Sequence, residues 1–370
     1  MRILALAHNL RPNSGWGRFS SCVIDNFDLK ENSLVVLTEK TTKEIRKYEL
    51  PVLLPHNSTT SFIRNVLLTR KYCKQADVVQ AFDIWPYGVY AYLALLLLPQ
   101  KKKLFMSGVG TYSIPPENFS IKKYLMSKAI LRATEILSIS NYTKTRILER
   151  VPEAHVSVAL MGNTPIVRIN EKERDVFEAE FKLGNRHPII LTVGEIKNRK
   201  GQLDTLKAVA RLKTEYPDIL YVVVGGDLDT NYVNKLKVFA KENNCEGNLR
   251  IISNAKDDKA LSYFYGKAIV FALNSNNEKD HFEGFGLVFL EAASFGVPVI
   301  GSSGCGIEDA LESGYNGYLT KQGDEIDIAN KLRLLLNNET HQKFSKNSLE
   351  FCTRFSWEKT GKIYLDAYNR

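Results

Sequence analysis

The chain has 370 residues, 44% of them hydrophobic, and its five cysteines (Cys22, Cys73, Cys245, Cys305, Cys352) form neither CxxC pairs nor zinc-ligand spacings. That length suits two domains with cores of their own, and scattered thiols argue against a disulfide scaffold or a zinc module and for a reducing compartment. The net charge of +9 is uneven: residues 1–165 carry 22 Lys+Arg against 12 Asp+Glu, whereas residues 166–370 carry 28 against 29. The basic half is either a solvated surface or a face that meets an anionic partner such as a membrane, a lipid-linked phosphate or nucleic acid.

In chain order, residues 1–8 (MRILALAH) read as a strand that begins at once, with no pattern of a secretory signal. Further strands are expected at Leu34–Thr38, Val52–Leu54, Val78–Ala81, Leu104–Ser107, Ile136–Ile139 and Val156–Leu160, with helices at Ser61–Cys73, Tyr87–Leu98 and Lys122–Arg132. The apolar run Val89–Leu98 is too short to span a bilayer, which takes about 20 residues, and reads as a buried helix. The rhythm restarts with strands at Ile189–Val193, Leu220–Val224, Leu249–Ile252, Ile269–Leu273, Val297–Ile300 and Gly317–Leu319, followed by helical segments such as Gln202–Thr214 and Ile326–Leu336. Alternating β and α segments predict parallel sheets covered on both faces, hence an α/β chain of two doubly wound, Rossmann-like domains. The expected joint lies in the polar stretch 163–186, giving domains at 1–165 and 166–355 and a last helix, 356–370, free to pack back on the first. In such sheets ligands bind beyond the carboxyl ends of the strands, so two of them facing each other would form a cleft.

The segment most informative about chemistry runs from His281 to Ile300 (HFEGFGLVFLEAASFGVPVI). A strand ends in a polar loop. Gly284 and Gly286 bracket Phe285, an apolar helix starts near Leu287, and Gly296 and Pro298 end it. Glycines let backbone approach a ligand, and the free amides of a helix start suit an anion. Glu291 lies among apolar residues, where a carboxylate is costly unless hydrogen-bonded; a ribose diol would satisfy it. Glu283 precedes it by eight residues, about two helical turns, so both carboxylates can point to one side. A second motif, Thr192–Gly201 (TVGEIKNRKG), follows a strand and precedes a helix. Arg199 and Lys200 at that turn would clamp a diphosphate.

The segment EGFGLVFLEAASFGVPVIGS resembles the donor-site motif of the retaining glycosyltransferases of family 4, which have the GT-B fold. The resemblance implies that Glu283 lies beside the transferred sugar and that the Gly284, Phe285, Gly286, Leu287 and Val288 backbone holds sugar hydroxyls and diphosphate. It implies that Glu291 binds the nucleotide ribose. Gly304–Leu319 continues the match in a packing role. The family's Gly-Arg…Lys-Gly pattern maps to Gly194, Lys200 and Gly201, with Glu195 where a basic residue is common and Lys197 or Arg199 able to supply the charge. Ser14-Gly15-Trp16-Gly17-Arg18 resembles a Gly-rich loop, placing Gly15 and Gly17 near diphosphate or acceptor. Ser107–Tyr112 resembles a loop in which a histidine contacts the sugar, but Val109 stands in that position. Ser140 reads as a helix N-cap.

The reaction so implied is a retaining transfer from a UDP-, GDP- or ADP-sugar held by the domain at 166–355 to a glycan, lipid-linked or small-molecule acceptor on the side of the domain at 1–165. Arg199, Lys200 and the helix start would stabilise charge on the leaving phosphate, and Glu283 would orient the sugar. No cofactor or metal is expected; no Asp-x-Asp motif is read as a metal site. The expected location is cytoplasmic, with a peripheral contact to an anionic inner membrane face through the basic half, and nucleic acid is not an expected partner. Two alternatives compete. One is a binding module of the same fold, suggested by Val109 and Glu195. The other is an NAD-dependent oxidoreductase, suggested by Gly15-x-Gly17 and Glu39 but opposed by Ser20 at the third position.

Overall fold

The computed structural model describes residues 1–11, 15–27, 32–39, 45–99, 102–164, 167–226, 229–255 and 257–370. It divides into two compact units, Met1–Gly162 with Ser356–Arg370, and Asn163–Phe355.

The first unit holds seven strands: β1 (Arg2–Leu6), β2 (Ser33–Glu39), β3 (Glu49–Leu53), β4 (Val78–Ala81), β5 (Lys103–Gly108), β6 (Glu135–Ser138) and β7 (Val156–Val158). Their order is β3-β2-β1-β4-β5-β6-β7, all parallel, with Leu4 opposite Val35 on one side and Val79 on the other. Helices α1 (Gly15–Asp25), α2 (Thr59–Cys73), α3 (Val89–Leu96), α4 (Ile121–Arg132) and α5 (Asn141–Arg150) cross between them. The second unit begins with α6 (Glu171–Phe181). It continues with β8 (Ile189–Val193), α7 (Gln202–Leu212), β9 (Leu220–Val224), α8 (Thr230–Glu242), β10 (Leu249–Ile252) and α9 (Asp258–Lys267). Then come β11 (Val270–Leu273), α10 (Leu287–Ser294), β12 (Val299–Ser302), β13 (Gly317–Thr320), α11 (Glu325–Leu336) and α12 (Asn338–Cys352). Its six parallel strands run β10-β9-β8-β11-β12-β13.

Strands covered on both faces must be apolar throughout, and β8, β9 and β11 are buried at every residue. In the second unit the core gathers Ile190, Tyr221, Val223, Val270, Ala272 and Ile300 from the sheet with Leu206, Val209, Leu236 and Leu332 from the helices. The last helix, α13 (Trp357–Asn369), belongs to the first unit. Its Tyr364 and Tyr368 are buried, pairing with Ser107 Oγ (2.8 Å) and Gln80 Oε1 (2.9 Å). Gly162 allows this approach, because a Cβ there would sit 2.3 Å from the Trp357 amide nitrogen.

Several elements differ from the sequence expectation. Gly15 and Gly17 are not in an open loop but in the first turn of α1. A Cβ on Gly17 would meet Asn9 Oδ1 at 2.1 Å, so that glycine serves close packing. Ser14 of the same motif, like Lys101 of the basic run, lies outside the described residues. Within the stretch 163–186, where the joint is expected, α6 forms behind a capping box in which Asn170 and Glu173 satisfy each other's backbone amides at 3.0 Å. The helix expected from Tyr87 starts at Val89, after a π-turn at Ile84–Gly88 anchored by Asp83. Ser140 caps α5, its Oγ accepting from the Thr143 amide (3.0 Å).

Candidate functional site

In an open parallel sheet, the two loops that diverge where the strand order reverses leave a crevice at the carboxyl edge. In the second unit that reversal falls between β8 and β11. The loop after β8 carries Gly194, Arg199 and Lys200; the loop after β11 carries Ser275 and Glu283 and leads into α10. The sequence therefore delivers its two strongest motifs to one crevice.

The loops are tied together. The Asn276 amide donates to the Arg199 carbonyl (2.7 Å), and Asn276 Nδ2 to Asp204 (2.8 Å). Asn198 Nδ2 donates to Glu278 (2.8 Å). Gly201 adopts φ +65°, and a Cβ there would lie 1.8 Å from the Asn274 carbonyl oxygen. Gly306 plays the corresponding part on the other side, where a Cβ would lie 1.9 Å from the Gly284 carbonyl oxygen.

Within this frame Lys200 Nζ lies 2.6 Å from Glu283 Oε2 and Arg199 Nη1 lies 3.6 Å from the same oxygen. Ser275 Oγ donates to it at 3.3 Å. The three charged side chains are largely buried, at 12–16% exposure. Burial pushes the Glu283 carboxyl up, but the Lys200 and Arg199 charges outweigh it and hold its pKa below the ordinary 4.5. Arg199 Nη1 is buried without a hydrogen-bond acceptor. A buried guanidinium N–H left unpaired is costly, and two cations against one carboxylate leave an excess positive charge. Next to them, α10 starts on Gly286 at φ +92°, which has no side chain to cap the helix amides. The crevice therefore combines unspent N–H donors, a helix N-terminus and positive charge, which is the chemistry of an anion site.

Glu291 lies one turn into α10, 4% exposed, and accepts from the Tyr265 hydroxyl (2.8 Å). Its burial is thus partly compensated by protein, whereas sequence alone suggested a ligand diol. Phe285 is buried and does not line the crevice with its ring: it packs towards Phe355, 6.1 Å between centroids. Glu195 pairs with Lys197, which leaves that pair without net charge, whereas Arg199 and Lys200 share the one Glu283 carboxylate and keep an excess of one positive charge. Gly194, at φ +151°, has open space where a side chain would be. His281 forms a backbone bridge with Glu278 at the exposed loop tip. Gly15 and Gly17 sit on the other unit. The sequence does contain an Asp-x-Asp pattern, Asp227-Leu228-Asp229. Asp229 caps α8 through the Asn231 and Tyr232 amides, and Asp227 lies outside the described residues. Among the described residues no group of three or more His, Cys, Asp or Glu could hold a metal ion, and no helix is long and apolar enough to cross a membrane. Ser275 and Tyr265 were missed by sequence reasoning. Ser275 had a signal, its place just after a strand; Tyr265, on a different helix, had none.

The sequence profile described as "Glycosyl transferases group 1" matches residues 173–351, the stretch that holds this crevice. The second unit therefore carries a group 1 glycosyl transferase domain. Among its relatives, the capsular polysaccharide biosynthesis glycosyltransferase CapM of Staphylococcus aureus is 26% identical over 254 residues, 65% of this chain and 64% of CapM. The match thus spans just under two thirds of that protein's length. Among solved structures, a glycosyltransferase from Rickettsia africae superposes with a TM-score of 0.83 at 19% identity, covering 99% of this chain and 97% of that one. The Anabaena protein HepE, solved in complex with UDP and glucose, gives 0.78 at 17% identity, covering 99% and 98%. The fold of the chain is therefore GT-B, two Rossmann-like α/β units.

Proposed function

We propose that the protein transfers a sugar from a nucleoside-diphosphate sugar to a hydroxyl-bearing acceptor, with retention at the anomeric carbon. The observation that carries this reading is the buried Arg199 Nη1, lacking a hydrogen-bond acceptor, beside Lys200 and the uncapped start of α10. A diphosphate would supply the missing acceptors, and as the glycosidic bond breaks, the charge growing on the leaving phosphate would meet donors already in place. Glu283 would hold the sugar hydroxyls and steady the positive ring. The Gly284–Val288 backbone would bind sugar and phosphate, and Glu291 the ribose. The complex of HepE with UDP and glucose supports a nucleotide sugar as donor.

The pairing of Lys197 with Glu195 makes the test internal. Lys200→Ala and Arg199→Ala should each weaken UDP or GDP binding about tenfold or more, whereas Lys197→Ala should leave it within about twofold. Equal effects from all three would move the diphosphate elsewhere. Retention is read from the anomeric signal of the product by NMR.

A membrane contact through the first unit is part of the same proposal. Phe119 and Ile121 are 87% and 78% exposed at the start of α4, which also carries Lys122, Lys123, Lys128 and Arg132. Exposed apolar side chains beside cations suit an anionic lipid surface. Sedimentation with phosphatidylglycerol vesicles should be lost in Phe119→Ser/Ile121→Ser; binding unchanged by that pair would refute this face.

A further inference from the structure

The second unit has a cavity at the amino edge of its sheet, opposite the crevice. Helices α9 and α10 end just before β11 and β12 begin, so their last turns lie at that edge. Between those turns and the start of α6 lies a cavity of about 360 Å³, bounded in part by Arg168, Arg174, Ser262, Tyr263, Lys267 and Phe295. That volume is in the range of small-molecule sites.

Its cations are not all matched. Lys267 pairs with Glu178 (2.6 Å), which also accepts from the Tyr263 hydroxyl (3.0 Å). Arg168 Nη2 donates to the Ser294 carbonyl (3.0 Å), and its guanidinium lies 4.7 Å from the centre of the Phe295 ring. Neither Arg168 nor Arg174 has a carboxylate partner among the described residues, and the exposed Arg174 side chain has no hydrogen-bond partner there. Ser262 is 2% exposed, yet its Oγ has no hydrogen-bond partner among the described residues, a costly state for a hydroxyl. Cations beside a helix C-terminus often serve only to cap it. Here the end of α10 is already satisfied. The Glu291 carbonyl accepts from Ser294 Oγ (2.6 Å), that of Ala292 from the Phe295 and Val297 amides (3.0 and 3.1 Å), and that of Ala293 from the Gly296 amide (2.9 Å). Capping therefore occupies one N–H of Arg168 and nothing of Arg174.

The cavity is also joined to the crevice. Helix α10 has eight residues, about 12 Å at 1.5 Å per residue, with the crevice at its start and the cavity at its end. The Phe295 ring under Arg168 stacks on Tyr265 (centroids 5.6 Å, 29°), and the Tyr265 hydroxyl donates to Glu291 (2.8 Å).

We infer that this cavity is an effector site for a small phosphomonoester. The phosphate oxygens accept from Arg168, Arg174 and the Ser262 hydroxyl, and the apolar part of the ligand lies against Phe295. Two guanidinium forks and a hydroxyl suit a phosphate, which offers more acceptor oxygens than a carboxylate. A phosphate there competes for the Arg168 N–H groups that support Ser294 and cover Phe295, so Glu291 is held less firmly and nucleotide binding weakens. That last step rests on the reading of Glu291 as the ribose ligand; the site itself does not.

The test uses the full chain at pH 7.5 and fixed ionic strength, with glycerol 3-phosphate as the probe and glycerol and malonate as controls, followed by calorimetry. Glycerol 3-phosphate should bind with UDP already saturating, which separates this site from the crevice, and the controls should not. Arg174→Ala should weaken it about tenfold. Ser262→Ala should weaken it about threefold while leaving the melting temperature equal or higher, because a buried unpaired hydroxyl is removed. Saturating glycerol 3-phosphate should raise the Kd of UDP about fivefold in the wild type, and UDP should weaken glycerol 3-phosphate by the same factor. In Arg174→Ala the UDP affinity without glycerol 3-phosphate should match the wild type and the antagonism should vanish. No binding beside UDP, malonate binding as tightly, or binding indifferent to Arg174 and Ser262 would overturn the site. Binding that follows Arg174 but leaves UDP affinity unchanged would overturn the link to Glu291. Binding that follows Arg174 in a protein that does not bind UDP would support the site and instead sink the transferase reading.

Discussion

Replacing Glu283 with glutamine removes one charge and almost no volume, and the structure fixes the size of the effect. In the wild type one carboxylate oxygen faces two cations, at 2.6 and 3.6 Å. With an effective permittivity of about 20, those attractions are about 6 and 5 kcal/mol before the opposing desolvation. Removing one partner of such a largely buried pair costs about 3–5 kcal/mol, because the other charges remain buried and uncompensated. For a unit of this size, a loss of about 3 kcal/mol lowers the melting temperature by roughly 6–12 °C. A nucleoside diphosphate replaces the missing negative charge, so UDP or GDP should stabilise Glu283→Gln by more than it stabilises the wild type, while turnover falls. The pH dependence carries a further sign. The folded-state pKa of Glu283 is below 4.5, so its contribution is present above that value and is lost as pH falls through the lowered pKa. The gap between wild type and variant should therefore narrow in acid. Scanning fluorimetry with and without nucleotide, at fixed ionic strength, reads all of this. A melting temperature within about 2 °C of the wild type, or an equal nucleotide shift in both proteins, would refute the assignment of Glu283 as the counter-ion of Arg199 and Lys200.

Three further outcomes rest on individual geometries. Glu291→Ala removes the acceptor of the buried Tyr265 hydroxyl and should cost about 1–3 kcal/mol, together with weaker nucleotide binding. Glu291→Gln should recover most of the stability but not the affinity; recovery of both would exclude a ribose contact. Gly201→Ala places a Cβ 1.8 Å from the Asn274 carbonyl oxygen in a backbone at φ +65°. It should part the two loops of the crevice and abolish nucleotide stabilisation, and a calorimetric titration indistinguishable from the wild type would contradict that. Burial raises the Asp83 pKa from 3.8 to about 7, against hydrogen bonds from Ser113 and the Ile84 amide and the Lys122 charge. The folded state then holds its proton more tightly than the unfolded chain, so this group costs stability as pH rises from about 4 to 7. Asp83→Asn, whose Oδ1 can keep both hydrogen bonds, should melt higher than the wild type at pH 8 and by a smaller margin at pH 5.

The sequence by itself determined the fold class and the contents of the crevice. Parallel strands buried on both faces must be apolar along their length, so segments such as Ile189–Val193 declare themselves without reference to distant residues. Glycines before an apolar helix, and a basic turn after a strand, are likewise local patterns with local physical causes. Where a pattern is local but masked by composition, it is less legible. The charged stretch holding Glu171–Phe181 resembles a linker until the Asn170–Glu173 capping box is noticed. Gly17 resembles a loop glycine until the backbone it must pack against is known. Only the tertiary structure could decide partners far apart in sequence: Lys200 on Glu283, Tyr265 on Glu291, Tyr87 and His8 on Glu39, and α13 against β4 and β5. Those choices depend on strand order. A sequence of alternating strands and helices specifies that a sheet will form, but the carboxyl ends that become neighbours at a switch point are fixed only when the chain has folded.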